Sequence, residues 1–129
     1  MDSFDTILFM EKKMLFGKKQ KNIRAYPRVD FFQSSYYLIE NEGPSGTNEC
    51  WFYNISLGGI GFESEKTDLI NAIITIVYKI GSQYRKDRLK IKYSTRLISK
   101  WRYGCQFIND DDQRNKLISY YIGQRVINN

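Results

Sequence analysis

The sequence predicts a mainly β protein: a small six-stranded antiparallel β-barrel that carries one C-terminal α-helix. Six short segments are rich in strand-forming residues and are separated by turn signals at regular intervals. Residues 110–129 change to the period of a helix. The 129-residue chain is 42% hydrophobic and 16% aromatic, which is enough to fill one core and is typical of a sheet-rich domain.

The first three strands are predicted from aromatic and β-branched runs between glycine-containing turns. Residues 29–40, VDFFQSSYYLIE, fit a first strand, and the loop NEGPSGTNE predicts a hairpin-like return. Residues 50–56, CWFYNIS, fit the second strand. A tight turn in GGIGFES then leads into the third strand.

The last three strands differ in their hydrophobic patterns. Residues 72–80, AIITIVYKI, are apolar on both faces, as in a central strand. Residues 88–98 alternate as in a half-buried strand, with these side chains expected inside: Leu89, Ile91, Tyr93, Thr95 and Leu97. Residues 101–109 predict the last strand, with these side chains inside: Trp101, Tyr103, Cys105 and Phe107.

The C-terminal helix is predicted from apolar residues at helical spacing behind a cluster of acids. The apolar residues are Leu117, Ile118, Tyr121, Ile122 and Val126. Three aspartates, residues 110–112, precede them, and acids suit a helix N-terminus. We therefore interpret these aspartates as helix caps rather than as a metal site.

The N-terminal part differs in composition from the rest of the chain. We expect residues 1–19 to form a separate segment, with a short helix and a basic arm, and residues 20–129 to form the barrel domain with its helix. The segment lacks the apolar core and cleavage site of an export signal. Cys50 and Cys105 lack CxxC spacing and are expected to be buried, reduced thiols. These features predict a cytoplasmic protein without membrane insertion.

Composition and charge argue against catalysis and for an anionic partner. The chain has no histidine, which removes the commonest general base and most zinc or iron sites. No grouped carboxylates suggest the metal site of a phosphodiesterase or cyclase. We therefore expect no enzyme activity and no cofactor. The formal charge of +6 is concentrated before Arg28 and between Lys79 and Arg102, which favours a nucleotide, a nucleic acid or a membrane surface.

Two arginines four residues apart, Arg24 and Arg28, stand in the stretch NIRAYPRVDF. Pro27 lacks an amide hydrogen and disfavours a helical Tyr26, so the pair lies on an extended or turning segment. Taken alone, the pair fits two solvated surface charges. The two guanidinium groups can converge on one ligand only if that ligand is compact and anionic.

The stretch NISLGGIGF, residues 54–62, fits either a glycine-rich hairpin turn or a ligand cradle. Gly58 and Gly59 allow the backbone to approach a bulky ligand closely. Ser56 offers a short hydroxyl donor, and Asn54 presents a carbonyl and an amide that can read a purine edge. These chemistries complement an arginine pair.

Together, the two stretches resemble the signature of the PilZ domain family, RxxxR followed about twenty to thirty residues later by (D/N)xSxxG. Here RAYPR at residues 24–28 and NISLGG at residues 54–59 have 25 residues between them. Gly61 and Phe62, and GCQF at residues 104–107 before the helix, also match. The resemblance covers about residues 20–127 and implies a PilZ-type barrel.

The resemblance implies a receptor that binds the bacterial second messenger cyclic di-GMP and catalyses no reaction. Because a single domain of this length shows no output module, we expect it to signal through a downstream protein. A guanidinium fork fits both the N7 and O6 atoms of guanine and phosphate oxygens. The implied binding residues are Arg24, Arg28, Asn54, Ser56, Gly58 and Gly59. Ile23 stands where many members have a further arginine, and Asn54 where aspartate is common, so stoichiometry and affinity stay open.

Two alternatives to a messenger receptor remain. Basic strips and tyrosines on a small barrel also describe proteins that bind single-stranded nucleic acid, although most aromatic residues here fall on inward strand positions. A PilZ-like module could also act by protein contact alone, without a ligand. The intact signature favours the messenger, so we expect no nucleic acid as partner.

Overall fold

The computed structural model describes residues 26–42 and 46–128, which form six strands and one helix. In chain order these are β1 (Val29–Ile39), β2 (Thr47–Ile55), β3 (Gly59–Ser64), β4 (Ile73–Ile80), β5 (Gln83–Arg96), β6 (Trp101–Phe107) and α1 (Asp112–Asn128). All pairs are antiparallel, and the order β1-β2-β3-β6-β5-β4 closes because β4 also pairs with β1. The predicted six-stranded barrel with a C-terminal helix is therefore confirmed.

Some predictions concern parts of the chain that lie outside the described residues. These are the short helix and the basic arm of residues 1–19, the expected boundary at residue 20, and Arg24. The barrel is described from Tyr26 onward. Within the described ranges, no helix has the length and apolar character needed to cross a bilayer.

Aromatic and branched side chains fill the barrel because inward and outward residues alternate along the strands. The largest fully buried side chains include Tyr37, Tyr78, Tyr103, Phe52 and Phe62. Ring centroids lie 4.9 Å apart for Tyr37 and Phe62, and 5.5 Å apart for Phe62 and Tyr103. These ring contacts join β1, β3 and β6 inside the barrel.

The inward face predicted for the last strand is confirmed for Tyr103, Cys105 and Phe107, which are buried. Trp101, which we also expected inside, is only half-buried and packs against the edge of the core. The expected state of the cysteines is confirmed as well, because Cys50 and Cys105 are both free and buried. Burial raises the pKa of the Cys50 thiol to about 12. Both thiols therefore behave as small apolar side chains at neutral pH.

Strand β4 differs from the central strand that its sequence predicts. It is hydrogen-bonded on both sides, to β1 and to β5, but only one of its faces points into the barrel. Ile74 and Ile76 are fully buried, whereas Val77 is 40% exposed. A closed sheet has one inside and one outside, so the apolar outer positions of this strand lie at the surface.

The alternation predicted for residues 88–98 holds only in its first part. Ile91 is fully buried, but Tyr93, which we expected inside, is 68% exposed. A β-bulge causes the difference: Ile91 pairs with Cys105 and Tyr93 pairs with the adjacent Gly104, so Lys92 is an extra residue. The bulge turns Tyr93 outward, which a strict period of two does not predict.

Side chains close part of the seam between β1 and β4. Backbone pairing of these strands covers only residues 37–39 of β1. Nearer the start of β1, the Gln33 amide donates to the Lys79 carbonyl at 2.8 Å and accepts from the Lys79 amide at 2.7 Å. The Ser35 hydroxyl donates to the Val77 carbonyl at 2.6 Å. These side chains satisfy backbone groups where β1 separates from β4.

Charged residues cap helix α1 and hold it on the barrel. The Asp111 carboxylate accepts a hydrogen bond from the Arg114 amide at 2.9 Å, which confirms the predicted capping. The Arg114 guanidinium lies 3.7 Å from the Asp87 carboxylate. Asp87 also accepts from Arg85 at 2.8 Å and from the Tyr78 hydroxyl at 2.7 Å. This buried network joins the start of the helix to β4 and β5.

Candidate ligand-binding site

One cleft on the barrel surface collects most of the residues that the sequence motifs singled out. It lies where the chain enters β1 and where the β2–β3 turn meets β5 and β6, and its volume is about 270 Å³. Five predicted binding residues line it: Arg28, Asn54, Ser56, Gly58 and Gly59. The sixth, Arg24, lies outside the described residues.

The Ser56 hydroxyl organises the β2–β3 turn. Its oxygen accepts hydrogen bonds from the backbone amides of Gly58 and Gly59, at 3.1 and 3.3 Å. The Ser56 amide in turn donates to the Gly59 carbonyl at 2.9 Å. Ser56 is buried in the turn, and its hydroxyl still has one proton to donate. The geometry therefore gives Ser56 a role in shaping the cleft, beside any contact with a ligand.

The two glycines of this turn are needed for different reasons. A Cβ on Gly59 would lie 1.7 Å from the Cys105 carbonyl oxygen, so a side chain there would collide with β6. A Cβ on Gly58 would lie 3.2 Å from the ring of Tyr26, which is a side chain that can move. The Gly58 carbonyl accepts a hydrogen bond from the Phe107 amide at 3.0 Å. Gly59 thus permits strand contact, whereas Gly58 makes room for an aromatic ring.

A β-bulge brings two consecutive residues of β2 to the cleft. Phe52 pairs with Phe62 and Asn54 pairs with Gly61, so Tyr53 is the extra residue. Tyr53 and Asn54 are both half-buried, and both line the cleft. A Cβ on Gly61 would lie 2.5 Å from Asn54 Oδ1 and 2.5 Å from Tyr53 Cζ. Gly61 therefore leaves the space that these two side chains occupy.

An ion-pair network outside the cleft holds the Tyr53 ring. The Arg102 guanidinium lies 4.4 Å from the ring centroid. Arg102 donates to Glu63 Oε2 at 2.6 Å, and the Lys100 ammonium lies 2.6 Å from Glu63 Oε1. Burial works to raise the pKa of Glu63, but its hydrogen bonds with Lys100 and Arg102 outweigh burial and lower this pKa. Glu63 is therefore ionised at neutral pH and fixes Arg102 against the ring.

Tyr26 and Arg28 enter the cleft from the segment before β1. Pro27 between them is buried, whereas both neighbours are exposed. Burial raises the pKa of the Tyr53 hydroxyl, and the positive charges of Arg102 and Arg28 oppose this rise. The charge of Arg28 therefore lies near enough to Tyr53 to influence its ionisation.

Strands β5 and β6 complete the cleft with residues that the sequence patterns did not identify as site residues. They are Lys92, Tyr93, Gly104, Cys105 and Gln106. Lys92 and Tyr93 reach the cleft because of the β5 bulge, which depends on pairing with β6 rather than on local sequence. The tyrosines Tyr26 and Tyr53 were missed too, although both stand next to signature residues.

The chemistry of the cleft suits a planar, anionic ligand. Two cations line it, Arg28 and Lys92, and none of the described residues along it is acidic. Three tyrosines border it: Tyr26, Tyr53 and Tyr93. Aromatic rings can stack on nucleobases, and the two cations can bind phosphate oxygens. Within residues 26–42 and 46–128, no group of three or more His, Cys, Asp or Glu residues is arranged to hold a metal ion.

The family comparison agrees with the signature, since a family model described as PilZ domain matches residues 22–124. No curated protein sequence matches the chain significantly. Among solved structures, the PilZ domain of YcgR from Escherichia coli, with c-di-GMP, has 16% identity and a TM-score of 0.62. Its alignment covers 82% of this chain and 92% of that one.

Two longer proteins also share the fold. The inhibitor of motility MotI from Bacillus subtilis has 16% identity and a TM-score of 0.61, with 84% of this chain covered. MrkH from K. pneumoniae, in its c-di-GMP complex, has 17% identity and a TM-score of 0.57, with 81% covered. The matched region spans 56% of the MotI chain and 53% of the MrkH chain. At these identities the likeness establishes a common fold.

Proposed function

The chain belongs to the PilZ domain family, and we propose that it is a receptor for cyclic di-GMP that signals through a protein partner and catalyses no reaction. Structural neighbours from two bacteria carry this messenger, which supports the choice of ligand. In this proposal residues 20–129 form the binding domain, residues 1–19 form a separate segment, and the protein acts in the cytoplasm without a cofactor.

The observation that carries the proposal is that Arg28, from the first signature motif, lines the same cleft as Asn54 and Ser56, from the second. Arg28 stands before β1, and Asn54 and Ser56 follow almost thirty residues later, yet all three line the same surface. The Asp30–Asn54 register of the β1–β2 pair explains this, because it sets the end of β2 beside the start of β1. A solvated charge pair would not require such an arrangement.

The cleft offers a matching group for each part of the messenger. Cyclic di-GMP has two phosphodiester charges and two guanines, and a guanidinium fork fits a phosphate or the N7–O6 edge of guanine. Arg28 is assigned to one of these, and Arg24, four residues earlier in the signature, to another. Asn54 would read a guanine edge, and Ser56 would donate its remaining proton. Gly58 makes room for the Tyr26 ring beside the ligand, and Gly59 lets the turn that carries Ser56 pack against β6.

The test is calorimetric titration of the purified protein with cyclic di-GMP, with GTP and a short oligonucleotide as controls. We expect binding confined to the cyclic dinucleotide. Loss of one charge-assisted interaction costs about 1.5–3 kcal/mol, so Arg24→Ala or Arg28→Ala should bind at least about tenfold more weakly. Arg28→Lys should not restore binding, because an ammonium lacks the planar fork.

The matched control is Arg88→Ala, which removes an exposed arginine that pairs with Glu40 and does not line the cleft. This variant should bind like the wild type. A folded wild-type protein that binds no cyclic dinucleotide would overturn the receptor proposal and favour a module that acts by protein contact alone. Equal affinity of the Arg28→Ala and Arg88→Ala variants would overturn the assignment of the site.

A nucleic-acid ligand is the second candidate, because the outer face of β5 carries a basic row. Lys86, Arg88 and Lys92 are exposed there, beside Tyr84 and Tyr93. Such a row would bind single strands of many sequences, with strong salt dependence. Tight binding of the oligonucleotide control, weakened steeply by salt, would support this candidate over the messenger.

A further inference from the structure

We propose that β5 supplies a second wall of the ligand site, with Tyr93 stacking on a base of the messenger and Lys92 pairing with a phosphate. This inference rests on the proposed function. It concerns two residues outside the RxxxR and (D/N)xSxxG motifs. Both line the cleft. Strands β3 and β6 lie between β2 and β5, so these two residues face the end of β2 from the other side of the cleft.

The first argument is the direction in which the two side chains point. In a regular strand, Lys92 and Tyr93 would face opposite sides of the sheet. The β5 bulge places both in the cleft, with Ile91 before them fully buried. Tyr93 is a large aromatic residue that is 68% exposed. Bulges are over-represented where a side chain is redirected toward a site.

The second argument is that the strands between the two sides of the cleft carry glycines, so no side chains fill the space between them. Gly104 pairs with Tyr93 in β5 and with Gly61 in β3, and Gly61 pairs with Asn54 in β2. A row of four residues thus crosses four adjacent strands, with two glycines in the middle. At about 4.8 Å per strand, the backbones of Asn54 and Tyr93 are roughly 14 Å apart. A Cβ on Gly104 would lie 3.3 Å from the Tyr93 ring, so the glycine leaves room for this ring.

The third argument is the symmetry of the messenger. Cyclic di-GMP consists of two identical halves, each with one base and one phosphate. Arg28, directly before β1, and Asn54, in β2, reach the cleft on one side of the two glycines Gly61 and Gly104. The opposite side presents an aromatic ring and an ammonium group, which are the chemical partners of a base and of a phosphate. Each wall can therefore contact a different half of the ligand.

The experiment is titration of cyclic di-GMP into Tyr93→Ala, Tyr93→Phe and Lys92→Ala. The Tyr93→Ala variant should bind cyclic di-GMP about tenfold more weakly than the wild type, because it cannot stack on a base. Tyr93→Phe keeps the ring and should bind within about twofold of the wild type. Lys92→Ala should weaken binding about two- to fivefold and make it less sensitive to salt. Circular dichroism spectra would verify that each variant is folded.

Matched controls come from the same strand, since Tyr84 and Lys86 are exposed on β5 but do not line the cleft. Tyr84→Ala and Lys86→Ala should bind like the wild type. If the wild type binds while Tyr93→Ala and Lys92→Ala match these controls, the second wall is refuted and the receptor function stands. If Tyr93→Phe is as weak as Tyr93→Ala, stacking is refuted. If the folded wild type does not bind, both proposals fall.

Discussion

Gly58 and Gly59 are adjacent in the β2–β3 turn, but we expect them to respond in opposite ways to replacement by alanine. In Gly59→Ala the new methyl carbon would lie 1.7 Å from the Cys105 carbonyl oxygen. A normal carbon–oxygen contact is about 3.3 Å, so β3 and β6 would have to separate by roughly 1.5 Å. In Gly58→Ala the methyl group is close only to the Tyr26 ring, at 3.2 Å, which can rotate, and it makes an ordinary contact with the Ser56 hydroxyl at 3.7 Å.

The magnitude follows from the hydrogen bonds that a displaced Gly59 would lose. They are the bond from the Ser56 amide at 2.9 Å, the bond to the Ser56 hydroxyl at 3.3 Å, and pairing with Gln106 in β6. At about 1 kcal/mol for each bond, the free energy of unfolding should fall by about 2–4 kcal/mol. For a chain of 129 residues this lowers the Tm by about 8–15 °C. Gly58→Ala should cost less than about 1 kcal/mol.

The assay is thermal and urea unfolding of both variants, followed by titration with cyclic di-GMP. Gly58→Ala should remain stable and bind the messenger more weakly, because the displaced Tyr26 ring enters the cleft. A Gly59→Ala variant as stable as the wild type would refute the argument from the β3–β6 contact. If Gly59→Ala were stable and yet failed to bind, a glycine at position 59 would be required for close approach of the ligand, as the sequence signature suggested.

Two further predictions concern buried carboxylates. Asp87→Asn should lower the free energy of unfolding by about 3–5 kcal/mol, because Arg114 would keep a buried charge without its carboxylate. The control Glu40→Gln breaks the exposed pair with Arg88 and should lower the free energy of unfolding by at most about 1 kcal/mol. Equal urea midpoints for Asp87→Asn and Glu40→Gln would contradict this reasoning. The pKa of Glu63 is lower in the folded state than its usual value of 4.5. The ion pairs of Glu63 therefore stabilise the protein fully above pH 4.5, and this stabilisation is lost as the pH falls through the pKa of the folded state. Glu63→Gln should therefore be less stable than the wild type at pH 7, and a difference in urea midpoint that persists unchanged well below pH 4.5 would argue against the ion pairs as its cause.

The strand and helix positions could be predicted because their signals are local. Glycine-containing turns separate the strands, and α1 begins at Asp112, within the predicted segment of residues 110–129. The outward position of Tyr93 could not be predicted, since it depends on a bulge formed by pairing with β6. The exposure of β4 was missed for a similar reason: a run that is apolar on both faces does not reveal that the sheet closes on itself.

The site was predictable to the extent that two short motifs contain it. Arg28 and Asn54 were identified from spacing and resemblance, and the structure places both in one cleft. The reason for Gly59 was not predictable, because the atom that excludes a side chain belongs to Cys105, far away in sequence. The second wall at β5 was hidden in the same way, since cross-strand pairing brings it to the cleft.

The two halves of strand β1 are bonded to β4 in different ways, and this affects how the barrel can respond to a ligand. Its second half shares backbone hydrogen bonds with β4, whereas the side chains of Gln33 and Ser35 bond its first half to that strand. Rotation of these two side chains would separate the start of β1 from β4 without breaking a β1–β4 backbone pair, while its pairing with β2 at Asp30 and Asn54 stays in place. Arg28 directly precedes this part of the strand. An anion that draws Arg28 into the cleft would therefore act on the end of β1 that is not paired with β4 through its backbone. The spacing between β1 and β4 can change there while the backbone pairing of the other strands stays intact.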